Sequence, residues 1–410
     1  MPATSPTRAS VPSPPPPAAL PTPPPGSAGP GRRGGRLLAL DGLRLLAALM
    51  VCLYHFAGRG GDISRSWGRT PARVFPDLSQ AAVYGCIGVQ FFFVISGFVI
   101  CMSSWGRGPG DFLRSRVARL YPAYWVAVLL VTAAAFALPV VLHPLRLDQI
   151  LVNLTMFQQP LGVPRVLGVC WTLWVEVRFY ALFAVCVVLR GVTYRRVVLF
   201  CCVWTLAAVI CKNAGSPLTA QLVMPEHAPF FVGGLALYLI HRFGHSPTLW
   251  GLVGVSWLLG QESVTTGLWR PGATGDFHRN PYVILLLVTL AFAAVAAVAL
   301  GRPRWAARPW LTAAGALTYP FYLVHEHLGW FVIRVLHRGL GLPPWPTLTV
   351  TVLGLLGLAW LIHRCVERPL GPRLKQGGGA GRRGALDGGG SGPGGAVPGG
   401  GRPGDGAAGG

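Results

Sequence analysis

The chain has 410 residues, of which 52% are apolar and only 12% charged, and its mean hydropathy is +0.50. A soluble domain of ordinary composition carries about a quarter charged residues, so a water-soluble globule is excluded and lipid is the expected solvent. The net charge of +22 is almost all arginine, Lys212 and Lys375 being the only lysines, and it sits in short inter-helix segments and tails without interleaved aromatics, so nucleic acid is not an expected partner.

Residues 1–36 form a Pro, Ala and Ser tract ending in Arg32, Arg33 and Arg36, which cannot bury enough surface to fold. It is expected to be a disordered tail and not a signal peptide, since its basic residues follow the Pro-rich stretch. Ten apolar spans follow, starting near Leu37, Ala81, Tyr121, Trp171, Val197, Pro229, Thr248, Tyr282, Leu311 and Thr347. The predicted fold is therefore all-α: one membrane domain over residues 37–374, a polytopic bundle of about ten helices, followed by a disordered Gly-rich tail over 375–410.

Basic residues set the expected orientation. Arg107, Arg114, Arg116 and Arg119 follow the second span, Arg190, Arg195 and Arg196 the fourth, and Arg302, Arg304 and Arg308 the eighth, which places both termini in the cytoplasm. The first external loop is the exception, with Arg59, Arg65, Arg69 and Arg73 against Asp62 and Asp77. No internal repeat is visible, which counts against transporters built from duplicated halves. The nine cysteines form no CxxC pair and no metal-binding spacing, so no metal is expected; a Cys86–Cys170 disulfide is left open.

The first span carries Asp41, Arg44 and His55. An ionisable group at mid-bilayer costs at least ~2.5–3.5 kcal/mol, so these need partners or a wet cavity. Asp41 and Arg44 are compatible with a local ion pair, and His55 alone with a packing role. Arg44 and His55 are eleven residues apart. That is ~16 Å and ~1100° of rotation on an α-helix, nearly one face, so one cavity can be lined by both. Glu176 lies among Trp171, Trp174, Phe179 and Tyr180 and needs a partner from another helix, whether structural or catalytic.

Several motifs occur in a fixed order. They are Leu40-Asp41-Gly42-Leu43-Arg44 followed after ten residues by His55; Gly88 to Ser96-Gly97-Phe98; Phe112-Leu113-Arg114-Ser115-Arg116 to Arg119-Leu120-Tyr121-Pro122; Trp171-Thr172-Leu173-Trp174-Val175-Glu176; Tyr319 to Tyr322 and His325; and Glu367-Arg368-Pro369. In this order the chain resembles membrane acyltransferase family 3, the O-acyltransferases of bacterial surface carbohydrates, lipopolysaccharide and some macrolides. The resemblance runs from Leu40 to Pro369; Thr172 and Arg178 replace the family's usual Ser and Gln.

The resemblance implies transfer of an acyl group, with acetyl-coenzyme A as the expected donor, to a hydroxyl of a carbohydrate or glycosylated metabolite in the cell membrane. His55 is then the general base, consistent with an imidazole of reference pKa ~6.5, and Arg44 and Glu176 are further catalytic candidates. Arg114, Arg116, Arg119, Tyr121 and Arg368 are candidates for holding acyl-coenzyme A at the cytoplasmic face, with topology signals as the alternative explanation of the arginines. Trp171, Tyr180 and His325 are candidates for substrate binding, while Glu326 and His327 read as a polar helix end. The competing class is a transporter or flippase for an acylated glycan, in which the same charges would line a translocation path.

Overall fold

A computed structural model describes residues 30–215, 217–268, 279–301, 308 and 310–376. Of the disordered tails expected over 1–36 and 375–410, residues 1–29 and 377–410 lie outside the described residues, as do Arg302 and Arg304, whereas 30–36 and 375–376 are helical, continuing α1 and α16. The chain opens with α1 (Pro30–Leu53), which continues as a π turn over Tyr54–Gly58. The short helices α2 (Ile63–Trp67), α3 (Pro71–Val74) and α4 (Pro76–Ala82) follow, and a tight turn leads into α5 (Gly88–Ser104). Then come α6 (Pro109–Ala137), α7 (Leu147–Leu154), α8 (Cys170–Cys186), α9 (Tyr194–Ala214), α10 (Pro217–Val223), α11 (Ala228–Phe243), α12 (Pro247–Leu268) and α13 (Pro281–Ala299). The last are α14 (Trp310–Ile333) with a π turn over Arg334–Gly339, α15 (Pro344–Ile362) with a π turn over His363–Glu367, and α16 (Arg368–Gln376).

No strand occurs among the described residues. Eight helical segments among them are long and apolar enough to cross a membrane, and α12 and α14 match them in length, so the expected ten-helix bundle is found. Large apolar side chains such as Leu129, Phe136, Leu206 and Leu353 face outward, as lipid-facing positions do. One boundary differs from the expectation. α6 begins at Pro109, well before Tyr121, because Pro109 occupies the first helical turn and Asp111 complements its dipole. Arg114, Arg116 and Arg119 therefore ride on a helix and not on a loop.

In lipid, helices have no hydrophobic drive to associate, and small residues that let backbones touch take over. A Cβ on Gly97 of α5 would land on the carbonyl oxygen of Phe231, and one on Gly234 of α11 on that of Val94. The same device grips α1 from two sides. On one side Gly315 and Gly329 of α14 make room for Asp41 and Phe56; on the other, Gly85 and Gly88 sit against the carbonyls of Met50 and Ala47. The helix carrying Arg44 and His55 is thus fixed between α5 and α14.

Asn153 ties down the segment between α7 and α8. Asn153, 1% exposed, donates to the carbonyls of Gln149 (2.8 Å) and Pro164 (2.9 Å) and accepts from the Val166 amide at 2.9 Å. Tyr124 and Trp125 of α6 in turn donate to the carbonyls of Asn153 and Leu154.

Candidate active site

Two adjoining cavities open between α1, α5, α6, α8 and α14, and both are lined by Arg44, Ser96 and Glu176. Glu176 has the partners a carboxylate in lipid requires. Ser96 Oγ donates to its Oε1 at 2.6 Å, and the Tyr180 hydroxyl donates to the same oxygen. The smaller cavity adds Arg116 and Arg119. Arg116 is buried, its guanidinium 5.8 Å from the Phe112 ring centre and 5.9 Å from that of Tyr180. The lining of the smaller cavity thus sets three guanidiniums against one carboxylate, with Asp41 near Arg44 and Arg119 as a second.

The larger cavity, about 50 Å³, is bounded at its other end by Phe92, Thr172 and Tyr322. The Tyr322 hydroxyl is 2.9 Å from Thr172 Oγ1, so the threonine fills the hydrogen-bonding place of the expected serine. Tyr322 also leads to a histidine cluster. Its carbonyl accepts from Nδ1 of His325 at 2.8 Å, and its ring lies 5.4 Å from that of His325. A carbonyl only accepts, so the neutral His325 ring carries its proton on Nδ1 and a lone pair on Nε2. His325 is fully buried, and its Nε2 has no partner among the described residues.

The His325 ring is 5.3 Å from that of His55. His55 sits in the π turn that continues α1, a local rewinding often found at functional sites, and is 8% exposed. Its Nδ1 is 3.0 Å from Oε1 of Glu326, which also takes Nη1 of Arg59 at 3.3 Å. Glu326 is 3% exposed. The sequence reading made it a polar helix end; it is instead enclosed by the α7–α8 segment. A Cβ on Gly168 would collide with its carboxylate, and the neighbouring Val166 carbonyl accepts from His327 Nδ1 at 2.6 Å. The 3.0 Å contact is an ion pair whose alignment falls short of a hydrogen bond; because a carboxylate only accepts, it favours the His55 tautomer with the proton on Nδ1.

The other sequence candidates divide. Arg44, Glu176 and Tyr180 meet at the cavities, joined by Arg116 and Arg119. Arg114 is paired with Asp111 at 2.7 Å on the first turns of α6. The Tyr121 hydroxyl donates to the Thr155 carbonyl at 3.0 Å, so it holds α7. Arg368 is exposed at the start of α16. Trp171 lies beside His227, with ring centres 6.0 Å apart, outside both cavity linings. Cys86 and Cys170 are both free thiols. Among the described residues no group of His, Cys, Asp or Glu has the arrangement of a metal site.

A family model described as an acyltransferase domain matches residues 37–364, nearly all of this framework. The chain belongs to this acyltransferase family. It is accordingly an enzyme that transfers acyl groups, and with its long apolar helices a multi-pass membrane protein. Among curated relatives, the acyltransferase MdmB of Streptomyces mycarofaciens is 29% identical over 82% of this chain and 91% of its own length. The exopolysaccharide production protein ExoZ of Rhizobium meliloti is 38% identical over 24% of this chain and 33% of its own. The peptidoglycan O-acetyltransferase OatA of Listeria monocytogenes is 28% identical over 35% of this chain and 23% of its own. No solved structure matches the acyltransferase chain.

Proposed function

We propose that residues 37–374 form an integral membrane O-acyltransferase. It moves an acyl group, acetyl in the first instance, from acyl-coenzyme A to a hydroxyl of a carbohydrate or glycosylated metabolite. The observation that carries this reading is the buried contact of His55 Nδ1 with Glu326 Oε1 at 3.0 Å, joined through the His325 ring to Tyr322 of the cavity that Arg44 and Glu176 also line. A base whose second nitrogen is held by a carboxylate is the arrangement hydroxyl activation requires.

Glu326 fixes the tautomer of His55, which removes the acceptor's hydroxyl proton through Nε2. The oxygen attacks the thioester carbonyl, the C–S bond breaks, and the departing sulfur takes the proton back from His55. Arg44 stands ~16 Å along α1 from His55, too far to touch the carbonyl under attack, so it orients the donor from the cavity beside Arg116 and Arg119. Glu176, fixed by Ser96 and Tyr180, keeps that guanidinium aimed. Arg116 and Arg119 hold the coenzyme A phosphates, for which planar guanidiniums are suited, and both termini lie on that cytoplasmic side. Exposed Arg114 and Arg368 extend the same cationic entrance, and Trp171 and His325 border the acceptor's approach.

The names of ExoZ and OatA, which refer to exopolysaccharide and peptidoglycan, support a carbohydrate acceptor. The test uses purified protein in nanodiscs with labelled acetyl-coenzyme A and envelope glycan from a deletion strain. His55→Ala should lower transfer by about 10²–10⁴-fold while folding is retained. Transfer at the native rate would remove His55 from the mechanism.

A further inference from the structure

The arginines of the first loop have no part in the chemistry above. Arg59, Arg65, Arg69 and Arg73 break the usual division of basic residues between the two faces of a membrane protein. Their loop is firmly docked. Trp67, 1% exposed, donates from Nε1 to the Phe56 carbonyl at 3.0 Å, inside the π turn that holds His55. Its ring lies against those of Phe75 and His337, and Ser79 Oγ donates to the Pro71 carbonyl at 3.0 Å. The backbone that carries these cations is therefore fixed against the turn that holds His55.

The helix that supplies His325 and Glu326 adds to them. Its π-turn extension carries Arg334, whose Nη1 donates to the Arg65 carbonyl at 3.1 Å. It also carries Arg338, whose guanidinium occupies the space a side chain on Gly68 would need. Closer to the imidazole, Arg59 reaches Glu326, and Arg279 Nη2 lies 3.5 Å from the Tyr54 hydroxyl. Carboxylates do not balance Arg65, Arg334 and Arg338. Glu326 is already shared by Arg59 and His55, and the Arg65–Asp62 contact of 3.6 Å joins half-exposed side chains, a pairing that contributes little. Among the described residues no carboxylate pairs with Arg334 or Arg338.

Cations gathered within about one Debye length, ~8–10 Å, repel one another and concentrate anions from solution. The phosphates of the donor are assigned to Arg116 and Arg119 near the other end of α1, so this second cationic site faces the other substrate. We infer that the acceptor is an acidic saccharide, bearing a uronate or phosphate group that Arg65, Arg334 and Arg338 hold while a neighbouring hydroxyl reaches His55. The inference names the acceptor class and rests on the reading of His55 above. Guanidiniums suit the task because their planar fork matches two oxyanion oxygens at once.

The experiment places the full-length protein in phosphatidylcholine nanodiscs and titrates it with a galacturonic acid trisaccharide and the corresponding galactose trisaccharide. The acidic probe should bind at least about tenfold more tightly, and the preference should shrink as salt rises from about 50 to about 500 mM. The double variant Arg334→Gln/Arg338→Gln should weaken the acidic probe at least about tenfold. The corresponding Arg→Lys pair should keep a preference for the acidic probe at reduced affinity, since the charge remains and the planar fork is lost, which separates lost charge from lost folding. His55→Ala should lower transfer by about 10²–10⁴-fold yet keep the preference, so failure of the catalytic reading and failure of this inference give different results. Equal affinity for the two probes, or acidic binding untouched by the Gln pair, overturns the inference. Displacement of the acidic probe in phosphatidylglycerol nanodiscs also overturns it, by assigning these arginines to lipid headgroups.

Discussion

Glu326→Gln is a near-isosteric change that removes one charge from the centre of the site. In the native protein its Oε1 meets His55 Nδ1 at 3.0 Å and Arg59 Nη1 at 3.3 Å, and the side chain is 4% exposed. A hydrogen bond to a charged group contributes about 1.5–3 kcal/mol. Gln keeps an acceptor oxygen toward Nδ1, so only the excess of a charged over a neutral hydrogen bond is lost, about 1–1.5 kcal/mol, and at ~1.36 kcal/mol per tenfold in rate kcat should fall about 5- to 13-fold. Removing one partner of a fully buried ion pair costs about 3–5 kcal/mol in stability; the Arg59 side chain is 35% exposed and can turn to water, so the protein should unfold earlier but still fold. The assay is the initial rate of thiol release from acetyl-coenzyme A with saturating acceptor. KM for the donor should stay within about twofold, because the phosphates bind near Arg116 and not here. A Gln variant with native kcat and native folding would refute the coupling of Glu326 to His55.

Two further changes probe other parts of the frame. Arg119→Gln should raise KM for acetyl-coenzyme A about tenfold or more with kcat nearly kept, and an unchanged KM would take the smaller cavity out of donor binding. Gly234→Ala drives a Cβ into the Val94 carbonyl across the α5–α11 contact, where backbone cannot yield, and should cost about 1–3 kcal/mol or more. Its unfolding temperature in detergent should fall clearly; a native value would mean that the two helices do not pack so closely.

The ten helices were legible because runs long enough to cross lipid leave few other options, and Arg44, Glu176 and His55 stood out because lipid penalises them. The extent of α6 was not. A stretch as basic as Arg114 to Arg119 reads as a loop, yet one helix turns Arg114 toward Asp111 and Arg116 into the bundle between Phe112 and Tyr180. Glu326 was missed for a different reason. In sequence His325, Glu326 and His327 are one polar cluster, and only the fold separates them: His325 toward the Tyr322 carbonyl, His327 toward that of Val166, Glu326 into the gap left by Gly168. The cue was present, a carboxylate inside an otherwise apolar run. Arg59 lay just past the apolar stretch and counted as a loop charge, and its reach back to Glu326 depends on the π turn.

On the proposed assignment α1 also acts as a ruler. Arg44 and His55 are borne by one helix, clasped along its length by glycine contacts from α5 and α14, and cannot approach each other. A donor whose negative charge adjoins its reactive carbon, such as acetyl phosphate, is too short to satisfy both ends. A donor with a long neutral arm between them fits, and the enzyme would thereby ignore the small activated acetyl compounds of the cell.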